Sequence, residues 1–392
     1  MKILYIHRHP FDKITGGVAE YLHYLPIALK AQGVETISYT AGEKNASEIS
    51  DPRYLANGMS AYSGPFLKPG IFSFARKLKP LFELCQKEKI DLIHAQGAYR
   101  SGYVAMQIYK NTGIPYLLTS HSDILTTNSK RIQQRHVQRR CREILRHSIA
   151  SIHLTPLMAK ASDEIYDTHE RGFIIGNGID LSEWKPFIGL PEKNYMLAIG
   201  RLEKGKGFNI LIDAYAKLRA QGIKTSLVIA GDGIDKTALH NQVKERGLNL
   251  VTDFQDFTNV PEASVIFTGY IRGDAKKHLF TQSKFIFFAT QPDGWEEAFS
   301  IVQIEAMAAG KAMIASDTAP TRYLETLGLQ TLLVKPDDID AWVSQTRRIL
   351  DNTELRRQLG EANLENVQQF GWEPIAKQYK EAYQTCLNNH IM

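Results

Sequence analysis

Cysteine is scarce in this chain: Cys85, Cys141 and Cys386 are the only three in 392 residues, odd in number and at spacings that form no pattern. That argues against a disulfide framework and for a reducing, cytoplasmic setting. Long apolar runs are missing as well. None approaches the roughly 18 residues a membrane helix requires, and Lys2-Ile3-Leu4-Tyr5-Ile6 is cut short by His7, Arg8 and His9, too briefly apolar for a signal peptide. What remains is a composition of 43% hydrophobic and 23% charged residues, that of a soluble globular protein, with length for two domains that each hold a core.

Both halves alternate short apolar strands with amphipathic helices, which predicts α/β folding with parallel sheets covered on both faces. In the first half the expected strands are 2–7, 34–40, 90–94, 116–120, 151–154 and 173–175. In the second they are 195–199, 225–230, 265–268, 285–289, 312–316 and 331–334. The turn-rich stretch from Asp180 to Lys193, with Pro186, Gly189 and Pro191, predicts a boundary that divides the chain into domains 1–187 and 188–371. Residues 40–71, rich in Gly, Ser, Asn, Asp and Pro, read as a long functional loop or as simple disorder, and 248–262 as an irregular stretch.

Two segments carry chemistry. Phe299 to Ala309 reads as a helix stopped by Gly310, so the N–H groups of Phe299, Ser300, Ile301 and Val302 stand open to an anion such as a diphosphate. Glu297, just ahead of that turn, would repel a phosphate and is better suited to sugar hydroxyls. Glu305, two turns along, has the geometry to take a ribose diol with both oxygens. One Glu serving the helix N-terminus and another on a solvated face give the same pattern. The second segment is a strand at 195–199, then Gly200-Arg201-Leu202-Glu203-Lys204-Gly205-Lys206-Gly207, then a helix with Phe208, Leu211, Ile212, Tyr215 and Leu218 on one face. Arg201 and Lys206 supply cations where a phosphate can approach the backbone. The loop is no P-loop, because Gly207 stands where a metal-binding hydroxyl would have to be. A plain turn with two solvated cations competes with the phosphate reading.

The net charge of +5 is concentrated in residues 1–187, the remainder being slightly acidic. Much of the excess lies in Arg131, Arg135, Arg139, Arg140, Arg142 and Arg146, on a segment whose Ile132, Val137, Cys141, Ile144 and Leu145 keep a helical apolar face. A solvated surface, attraction to an anionic membrane and capture of a ligand's diphosphate all account for it. Nucleic acid does not, since aromatics are not interleaved and no nucleic-acid motif accompanies the segment.

Together the two-carboxylate segment and the Gly-Arg…Lys-Gly loop resemble the donor site of a retaining glycosyltransferase of family 4, the nucleotide-sugar enzymes with the GT-B fold. Gly16-Gly17-Val18, His121-Ser122-Asp123, Asn177-Gly178-Ile179-Asp180, Gly231-Asp232-Gly233 and Gly371-Trp372 match further family segments in the expected order. The resemblance implies two doubly wound Rossmann-like domains with parallel sheets facing across a cleft, and a C-terminal helix, 372–392, that crosses back to the first domain. It implies transfer of a hexosyl group from a uridine or guanosine diphosphate sugar to a glycan or polyprenyl-diphosphate-linked acceptor, in polysaccharide or glycoconjugate synthesis. The carried-over catalytic residues are His121, Glu297, Arg201 and Lys206. Donor contacts would come from Gly16, Gly17, Gly200, Asp232, Tyr270, Ile271, Ala298, the 299–302 amides and Glu305, and acceptor or peripheral membrane contacts from Arg131, Arg135, Arg139 and Arg142. No cofactor and no metal are expected: Asp338-Ile339-Asp340 has D-x-D spacing, but after Pro336 it reads as helix capping. A sugar-nucleotide epimerase of the same fold and a non-catalytic nucleotide-sugar binder are the rival functions.

Overall fold

The computed structural model describes residues 1–8, 17–42, 47–48, 60–66, 77–121, 132–254, 256–292 and 299–391. The chain divides into two compact units, residues 1–179 with 370–392, and residues 180–369.

The strands of the first unit are β1 (Lys2–His7), β2 (Glu35–Ala41), β3 (Ser47–Glu48), β4 (Ser60–Gly64), β5 (Leu92–Gln96), β6 (Tyr116–Thr119), β7 (Ala150–His153) and β8 (Gly172–Ile174). They form one sheet in the order β3-β4-β2-β1-β5-β6-β7-β8, parallel except for the short edge pair β3–β4. The second unit holds β9 (Tyr195–Ile199), β10 (Ser226–Ala230), β11 (Asn249–Val251), β12 (Ser264–Gly269), β13 (Ile286–Phe288), β14 (Met313–Ser316) and β15 (Leu332–Val334). Its order is β11-β12-β10-β9-β13-β14-β15. Central strands such as Tyr195-Met196-Leu197-Ala198 are buried on both faces, which is why they read as unbroken apolar runs rather than as alternations. Every expected strand is present within two residues at either end. β3, β4 and β11 were not expected; β3 and β4 lie in the stretch read as a loop or disorder, and β11 in the one read as irregular.

In each unit the chain order reverses beside the first strand, so that β1 lies between β2 and β5, and β9 between β10 and β13. Loops leaving the carboxyl ends of such neighbouring strands diverge to opposite faces and leave a crevice, the usual ligand position in open α/β sheets.

The helix Trp372–Ile391 belongs to the first unit. Ile375, Ala376, Tyr379, Ala382, Tyr383 and Cys386 recur at helical spacing, are buried, and pack with Tyr21, Leu22, Leu25 and Leu29 of the helix Gly17–Ala31. Fully burying a large apolar side chain contributes roughly 1.5–3 kcal/mol, so this stripe is worth a sizeable share of a domain's net stability. Where the chain returns, Ile179 bridges to Gly371, and Gly178 lies flat on the Trp372 ring; a Cβ there would sit 2.6 Å from the indole. No helix among the described residues is long and apolar enough to cross a membrane.

Candidate functional site

In the second unit the crevice beside β9 is floored by backbone. Gly200 donates its N–H to Ala230 O (3.0 Å), Gly231 to Gly269 O (2.8 Å), Leu202 to Asp232 O (2.9 Å) and Asp235 to Leu202 O (3.0 Å). The loops after β9, β10 and β12 are thereby sewn into one shelf. Two glycines make the closeness possible. A Cβ on Gly231 would lie 1.9 Å from Gly200 O, and one on Gly207, at φ +68°, would lie 2.0 Å from Ala289 O. From the other side of the crevice Gln291 donates its N–H to Gly205 O at 2.8 Å, which ties the loop after β13 to the same shelf.

On that shelf Lys204–Lys206 forms a 3-10 turn and Gly207 opens the helix Phe208–Ala220 without a capping side chain. Arg201 is exposed along most of its side chain and its Nη1 meets Glu203 Oε1 at 3.1 Å; Lys206 is half-buried five positions on. Asp232 is exposed and accepts the Gly233 N–H at 2.8 Å, which shapes its own turn. Tyr270 stands 70% exposed beyond β12, with Ile271 half-buried beside it.

The helix that carries the second carboxylate spans Ile301–Ala308, two residues shorter at its start than expected. Phe299 and Ser300 therefore precede the helix. Ser300 is its N-cap, its hydroxyl accepting from Gln303 N at 3.4 Å, because a buried hydroxyl competes well for an orphan N–H. Ile301 and Val302 are the remaining first-turn amides outside the i→i−4 ladder. Gly310 ends the helix in the left-handed region (φ +64°). Glu297 and Ala298 lie outside the described residues.

Glu305 is buried, 4% exposed, and its Oε1 accepts from Lys276 Nζ of the helix Gly273–Thr281. One oxygen of the carboxylate expected to grip a diol is thus already engaged within the protein. The other, Oε2, is buried with no hydrogen-bond partner among the described residues. An orphan carboxylate oxygen is costly to bury unless a donor meets it.

The first unit carries His121 at the end of β6. Its Nε2 lies 2.7 Å from Oε1 of the buried Gln96, the last residue of β5, and its ring packs edge-on against Tyr21 with centroids 4.7 Å apart. Burial pushes its pKa down to about 4, so the ring is neutral at neutral pH. With Gln96 Oε1 as the acceptor, Nε2 carries the proton and Nδ1 is left as a lone pair, buried and without a partner among the described residues. Gly16 lies outside the described residues, and Gly17 begins the helix Gly17–Ala31.

Comparison with known proteins finds matches over nearly the whole chain. A model described as Glycosyltransferase Family 4 matches residues 15–183, and one described as Glycosyl transferases group 1 matches residues 182–366. The chain is a family 4 glycosyltransferase. This glycosyltransferase is 24% identical over 436 aligned residues to D-inositol 3-phosphate glycosyltransferase of Corynebacterium aurimucosum, covering 100% of this chain and 97% of the relative. It is 29% identical over 216 residues to the phosphatidyl-myo-inositol mannosyltransferase of Mycolicibacterium smegmatis, covering 54% of this chain and 51% of that one. Among solved structures, sucrose-phosphate synthase from Thermosynechococcus elongatus superposes with a TM-score of 0.74 at 21% identity, over 99% of both chains. Anabaena HepE in complex with UDP and glucose superposes at 0.70 and 18%, over 98% of this chain and 100% of its own. At these identities the likeness of structures establishes the GT-B fold.

Three further groups of the glycosyltransferase complete the picture. Asp338 caps the helix Ile339–Asp351 by accepting from Ala341 N at 2.9 Å, and Asp340 pairs with Lys217 at 2.6 Å, so both acids of the D-x-D spacing have structural work. The basic segment is helical over Arg135–His147, with Val137, Cys141, Ile144 and Leu145 buried and Arg135, Arg139, Arg142 and Arg146 exposed. Arg142 also donates from Nε to Ile165 O at 3.0 Å, Arg140 is held by Glu143 and the Tyr103 ring, and Arg131 lies outside the described residues. Gln96 and Lys276, which touch His121 and Glu305, belong to no motif. Their only signal in the sequence is a polar residue at the end of an apolar strand and a lysine one turn into a helix.

Proposed function

We propose that the protein transfers a hexosyl group from a uridine or guanosine diphosphate sugar to an acceptor hydroxyl, with retention at the anomeric carbon and without a metal ion or cofactor. The observation that carries this reading is the shelf at the strand-order reversal of the second unit, where Arg201 and Lys206 stand on glycine-shaped backbone. The diphosphate would lie there, its growing charge met by the two cations and by the Ile301 and Val302 amides. Glu297 and Glu305 would bind hydroxyls of the donor, Asp232, Tyr270 and Ile271 would flank the nucleoside, and Gly16 and Gly17 would allow close approach of ligand to backbone. For His121 the proposal assigns a hydrogen bond with the transferred sugar, made by a neutral ring. That UDP and glucose occupy a protein of this fold supports the donor class. Ranking UDP, GDP and ADP by thermal shift tests it, since a ligand bound only by the native state raises its melting temperature. UDP or GDP at 100 times its Kd stabilises by about 2.7 kcal/mol, several degrees for a domain of this size; no shift with any of the three overturns the donor assignment.

We also propose that the acceptor is a glycan or is linked to a polyprenyl diphosphate, in polysaccharide or glycoconjugate synthesis. The helix Arg135–His147 would place the enzyme at the periphery of an anionic cytoplasmic membrane. The support is a cationic outer face with Arg135, Arg139 and Arg142 exposed. Each cation near such a surface contributes on the order of 1 kcal/mol. Changing all three to Gln should weaken binding to vesicles of anionic phospholipid at low salt by roughly a hundredfold, and salt should weaken the unaltered protein. Equal binding by the two forms at low salt overturns the membrane assignment.

A further inference from the structure

We propose that Lys276 is a positioning residue that determines specificity for a ribose over a deoxyribose nucleotide, by holding one oxygen of Glu305 and presenting the other. This rests on the donor-site reading above and deepens it. Glu305 sits in the middle of the helix Ile301–Ala308 and is almost wholly buried, and the ammonium of Lys276 meets its Oε1. Among the described residues that ammonium meets the carboxylate itself and lies over the Phe280 ring, 5.9 Å from Nζ to its centroid. The lysine side chain is itself 24% exposed, so it reaches the pair from the edge of the crevice.

The position of Lys276 in the chain gives the contact its meaning. The shelf-forming strand β12 ends at Gly269, Tyr270 and Ile271 follow, and Gly273, at φ +59°, turns the backbone into the helix that carries Lys276 one turn later. One ion pair thus connects the segment after β12, where the nucleoside is expected, to the helix after β13, where the diphosphate is expected.

A carboxylate with both oxygens free can turn to accept from one hydroxyl, from two, or from water. With Oε1 bound, rotation is blocked and Oε2 becomes a single charged acceptor of defined direction, buried and unpartnered among the described residues. Such an oxygen accepts only from a donor, and a ribose hydroxyl is one. A nucleotide that lacks the hydroxyl leaves the oxygen stranded, and sites built around a hydrogen bond reject analogues that cannot make it far more strongly than apolar pockets reject a missing methylene. Without the ammonium nothing holds Oε1, and the carboxylate is free to turn. The directed acceptor disappears.

The test compares Kd values for UDP and 2′,3′-dideoxy-UDP, with GDP and its dideoxy form in parallel, by calorimetry on the full chain and on Lys276→Met, Lys276→Gln and Lys276→Arg. The unaltered protein is expected to prefer the ribonucleotide by at least about thirtyfold. Lys276→Met should reduce that preference below about fivefold, chiefly by weakening the ribonucleotide, while Lys276→Arg, which keeps the charge, retains most of it. Lys276→Gln fills the same space without the charge and serves if the Met variant is unfolded by circular dichroism; its preference should also fall below about fivefold. If the neutral variants weaken both nucleotides equally, or leave the preference intact, the inference is overturned while the donor-site reading stands. If the unaltered protein binds neither UDP nor GDP, the donor-site reading fails, and this inference with it.

Discussion

Replacing Arg201 and Lys206 together by alanine is expected to lower turnover by at least about a thousandfold while leaving the melting temperature close to that of the parent. Removing one preorganised group that faces developing charge costs roughly 10²–10³ in kcat. Both cations face the same leaving diphosphate in the proposed mechanism, so their losses overlap and do not simply multiply. The fold should not notice. Arg201 contributes a solvent-facing pair with Glu203, a class of contact worth about 0–1 kcal/mol. Around Lys206 the turn is held by backbone bonds, Lys206 N to Glu203 O at 2.9 Å and Gln291 N to Gly205 O at 2.8 Å. The measurement is release of nucleoside diphosphate from the sugar nucleotide in the presence of acceptor, alongside a thermal melt. Activity within tenfold of the parent would remove both residues from the diphosphate site, and a loss of activity with a large drop in melting temperature would attribute the effect to folding.

The second large effect is acid destabilisation of the first unit, expected to begin as the pH drops below about 6.5. His94 and His153 are 0% and 1% exposed, and both are held neutral. Burial drives the His94 pKa far below its usual value, with the neighbouring His121 adding to the shift, and lowers that of His153 to about 4. His121 titrates at about 4 for the same reason. Between the unfolded value near 6.5 and the depressed folded values, the unfolded chain binds protons that the native unit does not. Stability is therefore complete above pH 6.5 and falls as the pH descends toward 4. Each histidine contributes a slope of up to about 1.4 kcal/mol per pH unit. The two fully buried ones alone give about 3, enough to exhaust a typical domain's 5–15 kcal/mol within a few pH units. The hydrogen bonds show what protonation would disturb. His94 meets Tyr383 Oη at 2.8 Å through Nδ1 and Thr119 Oγ1 at 2.7 Å through Nε2, and His153 Nε2 meets Ser151 Oγ at 2.9 Å. Urea unfolding at a series of pH values from 7.5 to 4.5 should show this slope, and His153→Gln should make it shallower by the share of one histidine. A stability independent of pH between 7 and 5 would show that these rings are not held neutral.

The same histidines mark a boundary of what the residues disclose by themselves. His94 lies on an apolar strand, and its neighbours Tyr383 and Thr119 are 289 and 25 positions away. No local pattern announces that contact. The hydrogen bond that Lys276, 29 positions earlier, donates to Oε1 of Glu305 is of the same kind, as is the pairing of Gln96 with His121 across adjacent strands. Edge strands were hidden for a related reason. Ser60-Ala61-Tyr62-Ser63-Gly64 has little apolar character, yet it forms β4 because β2 offers it a parallel ladder from Ile37–Ser60 to Ala41–Gly64.

By itself the sequence determined the elements whose signal is local. Buried parallel strands must be continuously apolar, Gly207 must lack a Cβ to lie against Ala289 and Gly231 must lack one to lie against Gly200, and the motif order identified the glycosyltransferase family. Tertiary structure alone decided which polar atoms are engaged and which are left over: the start of the second-carboxylate helix at Ile301, the oxygen of Glu305 that has no partner among the described residues, the neutral ring of His121, and the partial commitment of Arg142 to a backbone carbonyl. The physical reason is range. Strand and turn preferences act over a few neighbouring residues, whereas burial and hydrogen-bond satisfaction depend on whatever the fold brings alongside, however distant in the chain.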